Sequence, residues 1–263
     1  YPVAVYDKRV YLFWYNELPT IMGKKIITIL ISLLALISGA QEVKIDTIIK
    51  VENFKITFKK VDTLVEPVKS DFRKAIDDTV SKSDNSHLKS RMREKLYIDK
   101  YDSLIKKDST KLFLKIDKGE KWKLIELSTI KDEYENTLFD FYEDENLYLV
   151  RTQWGEGNNY KIVNKTNGEI IETFGKPVFA KSENFIMSLN VDLVAEYTEN
   201  GFEFFKKKDE EIVKIGEFKP NNWGPEWAIE ITENKFIVKC YSVDNYLNKN
   251  DFFIEINLKN NGR

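Results

Sequence analysis

Cysteine, histidine and arginine are scarce in this 263-residue sequence, and each scarcity excludes a class of function. The single cysteine, Cys240, excludes an internal disulfide and a cysteine-rich metal site. The single histidine, His87, excludes a metal centre built from several histidines. Only 6 residues are arginine, which argues against a surface built for bidentate recognition of phosphate. With 41 basic and 43 acidic residues, the formal net charge of −2 gives no support for nucleic-acid binding.

The most specific pattern lies near the N-terminus and predicts export. Two lysines after Met22 precede an apolar run over 26–37, which Ser38-Gly39-Ala40 follows. This order of basic, apolar and small residues is that of a signal peptide over 22–40, cleaved after Ala40. The run is shorter than the roughly 20 residues that span a bilayer, so we expect no membrane span after cleavage. The alternative is a buried core helix; the signal peptide predicts a periplasmic or secreted protein.

Four segments follow from this interpretation. Residues 1–21 precede Met22 and are interpreted as an upstream, non-native extension. If they are instead genuine, the apolar run becomes an internal signal anchor. Residues 41–108 are expected to hold two strands and a helical hairpin, and residues 109–263 a β-repeat region.

Residues 43–107 change from a two-residue to a helical period. Residues 43–65 alternate apolar and polar side chains and predict two strands. Over 67–107 the apolar residues recur at spacings of three and four, which predicts a helical hairpin. The expected stripes are Val68, Phe72, Ala75, Ile76, Thr79 and Val80 on the first helix, and Leu88, Met92, Leu96, Tyr101, Leu104 and Ile105 on the second.

From residue 109 onward, short strands and turns repeat. Hairpins are predicted over 111–127, 159–175 and 201–218, and further strand pairs lie between them. Asn167-Gly168 is a turn pair that readily adopts positive φ angles, and Glu-Asn pairs at 145/146, 183/184 and 233/234 mark the intervening turns. The units of about 40–50 residues resemble the blades of a degenerate β-propeller of the secreted bacterial kind. The resemblance concerns the fold alone, and it implies a mainly β protein with a partial or incomplete propeller. The alternative is a β-sandwich or a curled antiparallel sheet.

The repeat stops after Asn261-Gly262, where a further strand would be expected. Propellers often complete the last blade with an N-terminal strand, and residues 43–61 are a candidate for this role. The alternative is a reading frame truncated at the C-terminus.

The sequence contains no recognisable catalytic, metal or cofactor motif, and we assign none of these sites. Gly155-x-Gly157 lies between two predicted strands, so it lacks the helix N-terminus that a phosphate-binding loop needs. Acidic turns, such as the one over 140–145, lack the ligand spacing of a calcium loop. Two carboxylates on different loops are still compatible with a carbohydrate hydrolase.

Two loops that contain tryptophan are the best candidates for ligand binding. Trp154 precedes Glu156, and Trp223 precedes Glu226, in segments rich in glycine and asparagine. An indole ring can stack on a sugar, and neighbouring acids and amides can bind its hydroxyl groups. The alternative is that these rings fill the space between sheets. We therefore predict an exported, non-catalytic binding or structural protein whose partner is a glycan or an envelope protein, with a carboxylate-based hydrolase as the alternative.

Overall fold

Strands dominate the computed structural model of the chain, which describes residues 45–62, 70–108, 111–126, 134–155, 157–180, 184–232, 234–244 and 247–260. These residues belong to one compact unit, Val43–Arg263. They form sixteen strands and two helices. The predicted upstream extension and signal peptide, 1–40, lie outside the described residues, and the division at residue 108 stays a prediction.

Four antiparallel sheets follow one another along the chain, and none of them closes on itself within the described residues. Sheet 1 contains β3 (Ile105–Lys107), β4 (Lys111–Ile116) and β5 (Lys121–Glu126). Sheet 2 contains β6 (Tyr134–Tyr142), β7 (Leu147–Trp154), β8 (Gly157–Asn164) and β9 (Ile170–Thr173). Sheet 3 contains β10 (Lys176–Ala180), β11 (Phe185–Asn190), β12 (Gly201–Lys208) and β13 (Glu211–Phe218).

Sheet 4 combines the two ends of the described chain. It contains β14 (Trp223–Thr232), β15 (Lys235–Val243) and β16 (Lys249–Asn260), and β2 (Phe54–Val61) and β1 (Thr47–Val51) complete it. β2 pairs antiparallel with β16 over eight residues, with Phe58 opposite Ile256. The expected pairing of an N-terminal strand with the last repeat is therefore confirmed.

The predicted hairpins are present, and their turn residues have the expected backbone. Strands β4–β5, β8–β9 and β12–β13 pair as antiparallel neighbours. Gly168 has a φ of 81°, and its N–H donates to the carbonyl of Asn164. Asn146 and Asn184 have φ angles of 58° and 51° in the turns before β7 and β11. Asparagine tolerates this left-handed conformation, which explains the repeated Glu-Asn pairs at these two turns.

The two predicted helices are α1 (Asp71–Val80) and α2 (Ser86–Lys100). Ser70 caps α1 by accepting a hydrogen bond from the N–H of Arg73, and Asn85 caps α2 by accepting one from Leu88. Neither helix of the described chain is long and apolar enough to cross a membrane.

The second helix is shorter than the sequence predicts. It ends at Lys100, and Tyr101 leaves the helical conformation with φ −123° and ψ 42°. Leu104 and Ile105 were expected on its apolar stripe, but Ile105 begins β3 and pairs with Leu114. The reason is that Ile105 is buried in a hydrophobic core that contains residues of sheet 1. Pairing with β4 provides hydrogen-bond partners for its buried backbone groups.

Helix α2 lies along β6, the edge strand of sheet 2. The carboxylate of Glu94, only 2% exposed, accepts a hydrogen bond from the N–H of Leu138 at 2.9 Å and pairs with Lys107. One turn further along the helix, the hydroxyl of Tyr97 donates to Asp140. Side chains of α2 thus form hydrogen bonds with polar groups of β6 that an unpaired strand edge would leave exposed.

Each hydrophobic core lies between consecutive sheets. The first contains residues from the helices and sheets 1 and 2, among them Tyr97, Leu114 and Val150. The second lies between sheets 2 and 3, and the third between sheets 3 and 4, where Phe58 and Phe202 meet. The sheets therefore pack on one another in chain order, and the fold is mainly β with antiparallel sheets and one helical hairpin.

Candidate functional site

An open groove of about 700 Å³ lies at one end of sheets 2, 3 and 4. At this end the chain passes from β9 to β10 and from β13 to β14, and the long loop 191–200 connects β11 to β12. Side chains from three consecutive sheets therefore meet without being adjacent in sequence. The groove is lined by Trp154, Asn159, Glu172, Thr173, Phe174, Asp192, Leu193, Glu196, Tyr197, Thr198, Glu199, Asn200, Lys219, Pro220 and Asn221.

A second groove of about 340 Å³ shares Trp154, Asn159 and Glu172 with the first. Its other lining residues are Tyr134, Thr152 and Lys161. The strand register explains the composition, because these six side chains occupy alternate positions of β6 to β9 and point to the same face of sheet 2. We call the two grooves together the Trp154 groove.

The turn after β7 fixes the indole ring of Trp154. Gly155 has a φ of +41°, a backbone conformation that favours glycine. A Cβ atom on Gly157 would lie only 2.6 Å from Nε1 of Trp154, so the ring lies directly against the Gly157 backbone. The spacing Trp-Gly-x-Gly therefore lets the tryptophan fold back over its own turn. Glu156, the middle residue, lies outside the described residues.

Loop 191–200 forms one wall and is held by a network of hydrogen bonds around Asp192. The carboxylate of Asp192 accepts hydrogen bonds from the N–H groups of Ala195, Glu196, Tyr197 and Thr198 at 2.8–3.1 Å. Burial raises the pKa of this carboxyl, but the hydrogen bonds outweigh burial and lower the pKa below its usual value. The ionised carboxylate thus organises the loop, and Tyr197 is presented with 60% of its surface exposed.

The opposite wall, loop 219–222, is tied to the first through Asn200. The side-chain amide of Asn200 donates to the carbonyls of Pro220 and Trp223 at 2.8 and 3.0 Å. Asn221 of this loop lines the groove. These hydrogen bonds from the Asn200 side chain to the backbone fix the two walls relative to each other, so the groove is largely preformed.

Two polar atoms in the groove wall, Oδ1 of Asn159 and Oδ1 of Asn200, have no partner among the described residues. Oδ1 of Asn159 is buried and accepts no hydrogen bond from them. A buried acceptor without a donor costs roughly 1–3 kcal/mol, so a hydroxyl group that reaches it is favoured. An aromatic ring beside amide and hydroxyl groups is the chemistry that binds a sugar: the ring stacks on its apolar face and the polar groups contact its edge.

Three of the four carboxylates that line the groove, those of Glu172, Asp192 and Glu199, contact a cation or the backbone. Glu199 pairs with Lys219 at 2.9 Å, and Glu172 lies 3.8 Å from Lys161. A general acid of a glycosidase needs a raised pKa so that it is protonated near neutral pH. The pKa of Asp192 is shifted in the opposite direction, so this residue has a structural role.

The four predicted site residues have separate locations. Trp154 lies in the groove. Trp223 is 3% exposed and packs edge-on against Phe202, Phe218 and Phe252, so its ring fills the core between sheets 3 and 4. Its loop still reaches the groove through Asn221, two residues earlier.

Glu226 lies on the outer surface of sheet 4, where it pairs with Lys239 at 2.7 Å and Lys249 at 3.0 Å. It does not line the Trp154 groove. The groove residues that the sequence did not single out are Asn159, Glu172, Tyr197 and Asn200. Asn159 and Glu172 lie on strands β8 and β9, and Tyr197 and Asn200 lie in loop 191–200. No local signal in the sequence brings them together, because their proximity depends on packing between sheets.

His87 and Cys240 are not arranged for nucleophilic catalysis. Nδ1 of His87 contacts Glu135 at 2.8 Å, and Arg91 binds the same carboxylate at 2.7 Å. Cys240 is buried in the core, and burial raises its thiol pKa well above the usual value, which disfavours the reactive thiolate. Within the described part of the chain, no group of three or more His, Cys, Asp or Glu residues is arranged to hold a metal ion.

Comparison of the chain with protein-family models and with curated proteins finds no match. The function is therefore argued from the groove itself.

Proposed function

We propose that the protein is an exported, non-catalytic binding protein that holds a neutral oligosaccharide in the Trp154 groove. The observation that carries this proposal is the fixed indole of Trp154, which lies in an open groove beside the unsatisfied Oδ1 of Asn159. A preformed aromatic platform loses little conformational freedom when a sugar stacks on it. The shared wall of the two adjoining grooves supports a ligand longer than one sugar ring.

The charge of the groove favours a neutral ligand over a polyanionic one. Its lining includes the four carboxylates Glu172, Asp192, Glu196 and Glu199 but only the two lysines Lys161 and Lys219. The remaining negative charge would repel a sulfated or uronic-acid chain.

The test is calorimetric titration with hexasaccharides of β-1,4-linked glucose and N-acetylglucosamine. We expect at least one of them to bind, and Trp154→Ala to weaken its affinity by about tenfold, the equivalent of losing one stacking contact. Trp122→Ala is the matched control, because Trp122 is a partly exposed tryptophan on β5, outside the groove. Equal loss in both variants, or no binding of either sugar to the intact protein, would refute the proposal.

The alternative is a carboxylate-based hydrolase, and Glu172 is the observation that favours it, because this carboxylate lies in both grooves. Incubation of the hexasaccharides with the protein, followed by an assay for new reducing ends, distinguishes the two functions. Product formed by the intact protein and lost in Glu172→Gln would establish the hydrolase. Binding without product supports the non-catalytic function.

Export is supported by the sequence of residues 22–40, where a basic pair, an apolar run and small residues follow in order. We expect full-length protein, produced in a bacterium with two membranes, to accumulate in the periplasm with Gln41 as its first residue. Retention of Met22 in the periplasmic or secreted protein would refute cleavage after Ala40.

A propeller-like arrangement of the sheets is also proposed. It is supported by the order of the sheets, by their pairwise packing and by the N-terminal strands that complete sheet 4. In a propeller the strands β6, β10 and β14 all line the central axis. Spin labels at the starts of these strands should then give a β6–β14 distance clearly less than twice the two distances between neighbouring sheets, whereas a linear stack would give one distance about twice the other two.

A further inference from the structure

Sheet 2 carries a second cluster of functional side chains on the face opposite the Trp154 groove. Arg151 and Tyr160 are direct cross-strand neighbours in β7 and β8. Tyr160 directly precedes Lys161 on β8, and successive side chains of a strand point to opposite faces of the sheet. Because Lys161 lines the groove, the side chains of Tyr160 and of its neighbour Arg151 project from the other face. Phe139 reaches the cluster from β6, where the register shift between Leu138 and Asp140 marks a bulge.

Cations surround the ring of Phe139. The guanidinium carbon of Arg93 lies 4.6 Å from the ring centroid, and Nζ of Lys176 lies 5.3 Å from it. The ring of Tyr160 meets Phe139 edge-on at 5.3 Å. The positive charge of Arg151 acts on Tyr160 together with that of Arg93. We call Phe139, Tyr160, Arg93, Arg151 and Lys176 the basic recess.

Two of these cations have no carboxylate partner among the described residues. Arg93 pairs with Asp77 at 3.0 Å. Arg151 donates from Nη1 to the hydroxyl of Ser90, and its Nε is buried without a hydrogen bond. Lys176 forms no salt bridge with the described residues; its ammonium group contacts the Phe139 ring, and the more distant carboxylates of Asp140 and Asp77 act on it electrostatically. Positive charge therefore exceeds negative charge at this point, although the sequence as a whole is slightly acidic.

Lys176 is the most solvent-exposed cation of the basic recess. Its side chain is exposed to solvent. Burial by the surrounding protein nevertheless lowers its pKa, the nearby charges of Arg93 and Arg73 add to this shift, and the carboxylates of Asp140 and Asp77 oppose it. Three of the six arginines in the sequence, Arg73, Arg93 and Arg151, contribute to this region.

We propose that the basic recess binds a compact oxyanion, such as the phosphate or carboxylate group of a larger ligand, through Lys176, Arg93 and Arg151. An anion would compensate the unpaired charges and provide an acceptor for the buried Nε of Arg151. The aromatic floor of Phe139 and Tyr160 limits hydration and so strengthens each charged contact. This site is independent of the sugar-binding proposal, because the two lie on opposite faces of sheet 2.

The test is titration of the full-length protein with inorganic phosphate and, in a second arm, with acetate, at constant ionic strength. We expect phosphate or acetate to shift the ring resonances of Tyr160 and Phe139 in a saturable manner. Lys176→Met should weaken the affinity by about tenfold, because a charged hydrogen bond is lost. Lys176→Arg should retain the affinity within about threefold, since it keeps the charge.

Lys106→Met is the matched control. Nζ of Lys106 lies 4.4 Å from the ring centroid of Trp122, so the substitution removes another lysine–aromatic contact but lies on β3, outside the recess. We expect it to leave the affinity for either anion unchanged. Failure of both anions to shift the Tyr160 resonances would overturn the proposal, and so would equal affinity in the intact protein and Lys176→Met. An equal loss in Lys106→Met would indicate nonspecific electrostatic binding and would overturn it too.

Discussion

Replacing Phe58 with alanine tests whether the N-terminal strand is an integral part of the last sheet. Phe58 is 1% exposed in β2, opposite Ile256 of β16. Its ring lies 5.0 Å from that of Phe218 and 5.5 Å from that of Phe202, both on sheet 3. The side chain therefore contributes both to the completion of sheet 4 and to its packing on sheet 3.

The expected loss is about 4 kcal/mol, from the roughly 3–5 kcal/mol measured for truncation of buried phenylalanines. The two aromatic contacts, at roughly 0.5–1.5 kcal/mol each, place the site in the upper half of that range. Phe58→Leu keeps most of the volume and should cost only about 1.5 kcal/mol. Since domains are stable by about 5–15 kcal/mol, the alanine variant should remain folded but be clearly weakened.

Urea unfolding followed by tryptophan fluorescence measures both variants. Ile48→Ala on β1 is the control, because Ile48 is 55% exposed and its loss should change the free energy of unfolding by less than about 1 kcal/mol. If Phe58→Ala also costs less than about 1 kcal/mol, β2 does not pair with β16 in solution and the description of sheet 4 is wrong.

Three further predictions concern the groove and the core. Asp192→Asn should lower the free energy of unfolding by about 1–3 kcal/mol at pH 7, because the loop loses its ionised acceptor. The pKa of Asp192 in the folded protein lies below its ordinary 3.8. Urea unfolding at several pH values should therefore show the difference in stability between the intact protein and the variant vanish as the pH falls below about 3.8. Gly157→Ala should displace the indole of Trp154, which would be seen as a shift in tryptophan emission, and should weaken sugar binding. The free energy of unfolding in urea should fall by less than about 3 kcal/mol. Unchanged emission and unchanged affinity would contradict the contact between Trp154 and Gly157. The thiol of Cys240 should react with Ellman's reagent only after unfolding, since it is buried with a raised pKa, and rapid reaction of the native protein at pH 8 would contradict its burial.

The hairpins could be predicted because their signals are local. Alternating apolar residues bounded by Asn-Gly or Glu-Asn determine a strand, its turn and its partner within about 20 residues. The pairing of β2 with β16 joins distant parts of the chain, and no local signal specifies it; it is predicted from the resemblance to a propeller, whose last blade is often completed by an N-terminal strand. The predicted end of α2 was wrong. Leu104 and Ile105 fit the apolar stripe of a helix as well as they fit a strand, and the pairing of this segment with β4 determines the strand that is observed.

The groove could be predicted only in part, because it depends on contacts between sheets. Trp154 and Trp223 lie in similar sequence surroundings, yet one lines the groove and the other is buried among phenylalanines. The difference arises from the neighbouring sheet: Phe202 and Phe218 of sheet 3 cover Trp223, whereas the indole of Trp154 packs on Gly157 at the open end of sheet 2. Neither fact is encoded in the residues next to the tryptophan. The same applies to the basic recess, whose members come from α2 and four different strands.

The position of the N-terminal elements follows from the edges that the β-repeat leaves open. An array of successive meanders has unpaired strand edges, and unpaired edges favour aggregation. β2 occupies the edge of β16, and α2 occupies the edge of β6 with Glu94 as acceptor for the N–H of Leu138. Residues 45–100 thus act as one edge-covering segment for sheets 4 and 2, although they contribute only two strands to the array. This explains why a helical hairpin interrupts an otherwise regular β sequence: a helix covers an edge without offering a new one.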